Sequence, residues 1–132
     1  MTRRALFPPG SRELAAEIKV SPGIVSGNHV FLTGMTGNRA DGSMPSDPEE
    51  QIRNAFGKIG TILMEAGLGH DAIVEMTTYH VGLADHFDLF NAIRADYVGE
   101  PFPAWTAVEV ARLRRPGAIV EIRVIAALDA TD

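Results

Sequence analysis

The sequence predicts an α+β domain in which a sheet is covered on one face by two helices. Strand-like and helix-like stretches interleave along the chain, and only two stretches have a helical period. Each helical stretch carries a one-sided apolar stripe that needs a surface to cover. The last two strand-like stretches alternate with period two, as strands buried on one face do. The size agrees: 132 residues, 45% hydrophobic and 22% charged, suit one domain with its own core.

Residues 1–17 mix Arg, Pro, Gly and Ser and read as an arm whose order depends on docking, ahead of a single domain over 18–132. Residues 28–33 (N-H-V-F-L-T) are β-branched and aromatic and form a strand ending at Gly34. Residues 37–43 are turn formers, with Asp41-Gly42 suited to positive φ, and make a hairpin or exposed loop. For the first helix, Asp47 is placed to cap, Pro48 to open, and Glu50 to close a capping box. Its stripe is Ile52, Phe56, Ile59, Leu63 and Ala66, and Gly67 stops it. Residues 73–83 are the next strand. The second helix is expected from a cap at Asp85, through the stripe Phe87, Phe90, Ile93 and Tyr97, to Gly99 and Pro101. Residues 104–111 and 118–128 complete the order β, β, α, β, α, β, β.

Alternation places Thr106, Val108 and Val110 on one face of the penultimate strand, with Val120, Ile122, Val124 and Ala126 on one face of the last; these are expected toward the helices. Trp105, Ala107 and Glu109, with Ile119, Glu121, Arg123 and Ile125, then fall on the far side. An apolar patch of that kind marks association or a ligand groove, so a homo-oligomer sealed through the sheet is expected.

The net charge of −5 disfavours nucleic acid as a partner, because such binders carry a basic stripe. Arg112, Arg114 and Arg115 form a short basic cluster that reads as solvated surface. Without cysteine there is no disulfide framework and no thiolate nucleophile, and a cytoplasmic address is the expectation. No apolar run approaches the ~20 residues of a membrane span. Nucleotide-binding, zinc-protease, EF-hand and nucleophile-elbow motifs are all missing. The four histidines lack metal-ligand spacing, so no metal is assigned. Glu49-Glu50 fits the acidic preference of a helix start. Glu121 and Arg123, two apart on one strand face, lie about 6–7 Å apart and can address one ligand. A cross-strand ion pair of Arg123 with Glu109 is the simpler alternative.

Several segments together resemble one family: residues 27–34 (G-N-H-V-F-L-T-G), 75–81 (E-M-T-T-Y-H-V), Phe90-Asn91, Pro101-Phe102-Pro103-Ala104, 107–113 (A-V-E-V-A-R-L) and 120–122 (V-E-I). In order and spacing, from about residue 20 to 128, they are similar to the RidA/YjgF family. That resemblance implies a chorismate-mutase-like fold and a homotrimer whose sheets line a barrel, with ligand clefts between subunits. It also implies cofactor-free hydrolysis of enamines and imines such as 2-aminoacrylate. Glu121 matches the family's water-positioning glutamate, Gly34 its pocket glycine and Asn91 its helix asparagine. The carboxylate-clamping arginine is replaced by Trp105, a common cysteine by Ala107, and a common tyrosine by Val20. The expected function is therefore a deaminase-type hydrolase of a small C–N substrate other than 2-aminoacrylate. Trp105 would serve as an aromatic wall, and Arg123 as an alternative guanidinium. A non-catalytic trimer binding a small molecule is the other reading.

Overall fold

A computed structural model describes residues 2–129. The chain runs through β1 (Arg4–Leu6), α1 (Arg12–Ile18), β2 (Gly23–Ser26), β3 (His29–Leu32), α2 (Pro48–Met64) and a short 3-10 turn (His70–Ala72). It continues through β4 (Ile73–His80), α3 (Leu83–Arg94), β5 (Ala104–Glu109) and β6 (Val120–Ala127). The strands form one six-stranded mixed sheet in the order β1-β2-β3-β6-β4-β5. Every neighbouring pair is antiparallel except β4 and β5, which α3 connects in parallel. The α+β class is as expected, with three helices in place of two.

The helical stripe and the last strand's alternation are both realised. Ile52, Phe56, Ile59 and Leu63 of α2 are fully enclosed against Val120, Ile122, Val124 and Ala126 of β6. Phe56 stacks on Tyr97 with ring centroids 4.4 Å apart, so Tyr97 reaches the core although α3 ends at Arg94.

The N-terminal stretch is not a loose arm. β1 pairs with β2 over Arg4–Val25, Ala5–Ile24 and Leu6–Gly23, and Leu6 is buried in the core. Its edge pairing supplies the order that its composition does not predict.

Two helix starts also differ from expectation. Asp47 sits at the start of α2 without a side-chain cap, and Glu50 turns outward to Arg39, with Arg39 Nε 2.9 Å from Glu50 Oε2, so no capping box closes. Helix α3 begins at Leu83, two residues before Asp85. Gly82 takes φ +71°, a conformation open to glycine, and Leu83 N–H donates to Glu109 Oε1 at 3.0 Å. A carboxylate on β5 thus occupies the capping role expected of Asp85.

The faces of β5 are inverted relative to expectation. Met76, Thr78 and His80 of β4 are buried, and they stand opposite Trp105, Ala107 and Glu109. Trp105, Ala107 and Glu109 therefore lie on the helix side, with Thr106 and Val108 on the open side. Alternation defines two faces but not which one is covered. The indole is the largest apolar side chain on β5, and it stacks on Phe87 at 5.7 Å and packs beside Phe90. Glu109 is consequently across the sheet from Arg123, and the proposed pair between them does not form. The open face still presents Ile24, Phe31 and Ile125 in register, with Phe31 38% exposed.

Candidate functional site

Glu121 projects from β6 opposite the buried Val120 and Ile122, and Tyr79 pairs with it across the sheet. The segment after β3 passes so close that any side chain at Gly34 would displace the Glu121 carboxylate. A Cβ on Gly34 would lie 2.9 Å from both Cγ and Cδ of Glu121. The backbone bridge Met35–Ile122, with N–H to O distances of 2.9 Å in both directions, fixes that approach. The half-buried Glu121 carboxylate makes no ion pair among the described residues.

Glu121 and Gly34 line a groove of about 570 Å³. Its apolar wall comes from α1 and the turn after it, where Leu14, Ile18 and Val20 are 53%, 48% and 41% exposed. Lys58, Arg114 and Arg115 line its polar side. A more open groove of about 880 Å³ shares Lys58, Met35 and Asn38 with it.

Two devices hold the groove's polar side. Buried Gln51 on α2 donates through Nε2 to Pro45 O at 2.8 Å and Gly117 O at 3.0 Å, while its Oε1 accepts from Ile119 N–H at 2.9 Å. The segment that carries Arg114 and Arg115 into β6 is thereby tied to the helix. Gly37 lies against the backbone of Gln51, where any Cβ would collide, and Asn54 Nδ2 donates to Gly37 O at 3.0 Å. Lys58 Nζ then reaches Thr36 O at 2.9 Å and Asn38 Oδ1 at 2.5 Å. Burial, and secondarily the positive charge of Arg115, push the Lys58 ammonium down to about 8.

The remaining expected site residues lie elsewhere. Trp105 donates its indole N–H to Thr78 Oγ1 at 2.9 Å on the helix side of the sheet. Arg94 lies over its ring at 3.9 Å and donates through Nη2 to Asn91 Oδ1 at 3.2 Å. Asn91, Trp105 and Arg94 thus form a second cluster, with the half-buried Ala107 on the same face of β5. Arg123 sits on the open face opposite Thr77 and does not line the Glu121 groove. Within one chain, Glu121 and Trp105 occupy opposite faces of the sheet.

Behind the second cluster, Thr78 Oγ1 also lies 2.7 Å from His80 Nε2. The Thr78 hydroxyl thus bridges the indole N–H and the His80 ring, and the roles in its contact with His80 follow the ring tautomer. Burial, then the neighbouring His86, pushes the His80 imidazole down to about 4. Among the described residues no group of three or more His, Asp or Glu side chains is arranged to hold a metal ion.

The structure brings Glu121 and Gly34 together; Lys58 and Gln51 were not singled out in the sequence, and Arg114 and Arg115 were read there only as solvated surface. Only Gln51 carried a local signal, since Gln51, Ala55, Ile59 and Ile62 recur at helical spacing along the buried side of α2.

Comparison with known proteins yields a consistent set of matches. The profile of the family described as Endoribonuclease L-PSP matches residues 10–128. The chain is 36% identical over 125 residues to the RutC family protein YjgH of Escherichia coli, covering 94% of each. It is similar to a solved structure of YjgH with a TM-score of 0.86 at 35% identity, covering 96% of this chain and 97% of that one. A Rid-family protein of Yersinia pestis, YyfA, superposes with a TM-score of 0.82 at 29% identity, covering 96% and 99%.

Proposed function

The chain belongs to the RidA/YjgF family, described as Endoribonuclease L-PSP, and on that premise we propose that it is a cofactor-free, deaminase-type hydrolase. Its substrate is a small imine or enamine, and Glu121 is the group that orders and deprotonates water. The observation that carries this reading is the Glu121 carboxylate, which has no ion pair among the described residues and lies against Gly34 in the lining of a groove.

The chemistry balances without a cofactor. Water adds its oxygen to the carbon of the protonated C=N bond while Glu121 takes one of its protons, forming a neutral carbinolamine. Glu121 returns that proton to nitrogen, the C–N bond breaks with ammonia as the leaving group, and the hydroxyl proton passes to the ammonia, leaving a carbonyl compound and ammonium. An enamine enters the same route once protonated at carbon.

The working unit of this reading is a homotrimer, with the open face of the sheet turned inward. Two facts support self-association: the apolar side chains on that face, and the placement of the Glu121 and Trp105 clusters on opposite faces of one chain. A ligand meeting both clusters needs a second copy.

The test is ammonia release from a panel of freshly generated imines. Turnover by wild type that Glu121→Ala abolishes supports the proposal; equal release by both proteins overturns it. A non-catalytic ligand-binding trimer is the second reading, favoured by Trp105. The indole standing where the family's clamp arginine is expected is occupied with Thr78, Phe87 and Arg94. The family's descriptive name does not extend to an RNA substrate here, given the net charge of −5 and no basic stripe.

A further inference from the structure

We propose that the groove beside Glu121 is a site for an organic anion with an apolar body, held by Arg114, Arg115 and Lys58. This rests on the groove assigned above to catalysis and adds the class of compound it takes.

The charges in the groove are unbalanced. Three cations face one carboxylate, in a chain whose overall charge is −5. Among the described residues the ion pairs are those of Arg39 with Glu50 and of Arg53 with Glu49 and Asp96, and none of them lies among the residues that line this groove. Arg114 and Arg115 make no ion pair among the described residues, although their loop is anchored by Gln51. Lys58 uses hydrogen bonds to Thr36 O and Asn38 Oδ1, and an ammonium has three donors, so one remains for a ligand. Its lowered pKa reports burial next to a like charge, and an anion between Lys58 and Arg115 relieves that repulsion.

The opposite wall selects the rest of the molecule. Leu14, Ile18 and Val20 present their side chains to the groove from α1 and the turn behind it. An inorganic anion gains nothing from that wall, and a neutral apolar compound gains nothing from the guanidiniums. A carboxylate on a hydrocarbon body uses both.

The experiment is calorimetric titration of the full chain with sodium hexanoate, its neutral amide hexanamide, and sodium sulfate. Saturable hexanoate binding is expected, with no hexanamide binding and sulfate weaker than hexanoate. Arg114→Gln and Arg115→Gln should each weaken hexanoate about tenfold, as loss of a charge-assisted hydrogen bond does. Both side chains are exposed, so these variants are expected to fold. Hexanamide binding as well as hexanoate, hexanoate binding untouched by both variants, or no saturable binding at all would each overturn the proposal. Glu121→Gln separates the two readings. It should abolish ammonia release and leave hexanoate binding intact, because the variant removes a charge that repels the ligand. Arginine-dependent binding without turnover on any imine supports this site and overturns the hydrolase reading. Turnover with no arginine dependence does the reverse.

Discussion

Replacing Gln51 by leucine should cost about 3 kcal/mol of stability. The side chain is buried and serves three backbone groups: Pro45 O, Gly117 O and Ile119 N–H. Leucine matches its size roughly and leaves all three without a partner. An orphaned buried group costs about 1–3 kcal/mol. Only the bond to Pro45 is fully enclosed and the other two are partly wet, so the sum is taken near the low end, about 1 kcal/mol each. With a urea slope of about 2 kcal/mol/M, the unfolding midpoint falls by about 1.5 M. The assay is equilibrium urea unfolding by circular dichroism at one fixed protein concentration, because self-association stabilises by mass action. Gln51→Glu sharpens it: the carboxylate still accepts from Ile119 but cannot donate to the two carbonyls and brings a buried charge, so it should be no better than leucine. A midpoint shift below about 0.3 M for Gln51→Leu would refute the assignment of Gln51 as the tie between α2 and the segment leading into β6.

Four other outcomes follow from the same structure. Gly34→Ala should lower stability by less than about 1 kcal/mol, since only the far end of Glu121 must move, yet reduce ammonia release about as severely as Glu121→Ala. Trp105→Arg should not restore a clamp; it sets a second guanidinium beside Arg94, empties the indole's place against Phe87, and lowers stability by about 3 kcal/mol in urea unfolding. His80 is held neutral in the fold to about pH 4 against an ordinary 6.5, so the unfolded chain binds its proton first. Stability should fall as pH drops from about 6.5 toward 4, and His80→Gln should flatten that slope in urea midpoints measured across the range. Arg115→Gln should raise the Lys58 pKa from about 8, seen as a higher pH midpoint for acetylation of Lys58 relative to Lys19 by mass spectrometry.

What was legible in the sequence was what depends on neighbours along the chain. The stripe of α2 and the alternation of β6 are local patterns, and both appear in the core as read. The side of β5 that meets the helices was not legible, because a period of two is the same from either side and the choice rests on where Met76 and Phe87 lie. Arg114 and Arg115 look like solvated surface for the same reason. Only the antiparallel pairing of β6 with β3 and β4, and the Gln51 bonds across 66 and 68 residues, bring them to Lys58. Alternation in the last strand singled out Glu121 and family resemblance gave it a role, while its closeness to Gly34 has a cause that the sequence does not display: a backbone bridge between Met35 and Ile122.

The position of β6 in the sheet has a consequence for biosynthesis. It follows β3 and β4 along the chain and lies between them in the sheet, so until residues 120–127 emerge from the ribosome the described sheet exists as two unjoined pieces. Each piece then shows an unpaired apolar edge, at β3 on one side and β4 on the other, and such edges invite pairing between nascent chains. The same strand carries Glu121. A product cut short before residue 120 therefore lacks the carboxylate and the strand that joins the sheet, and it should be recovered as aggregate or degraded, with no partly active population.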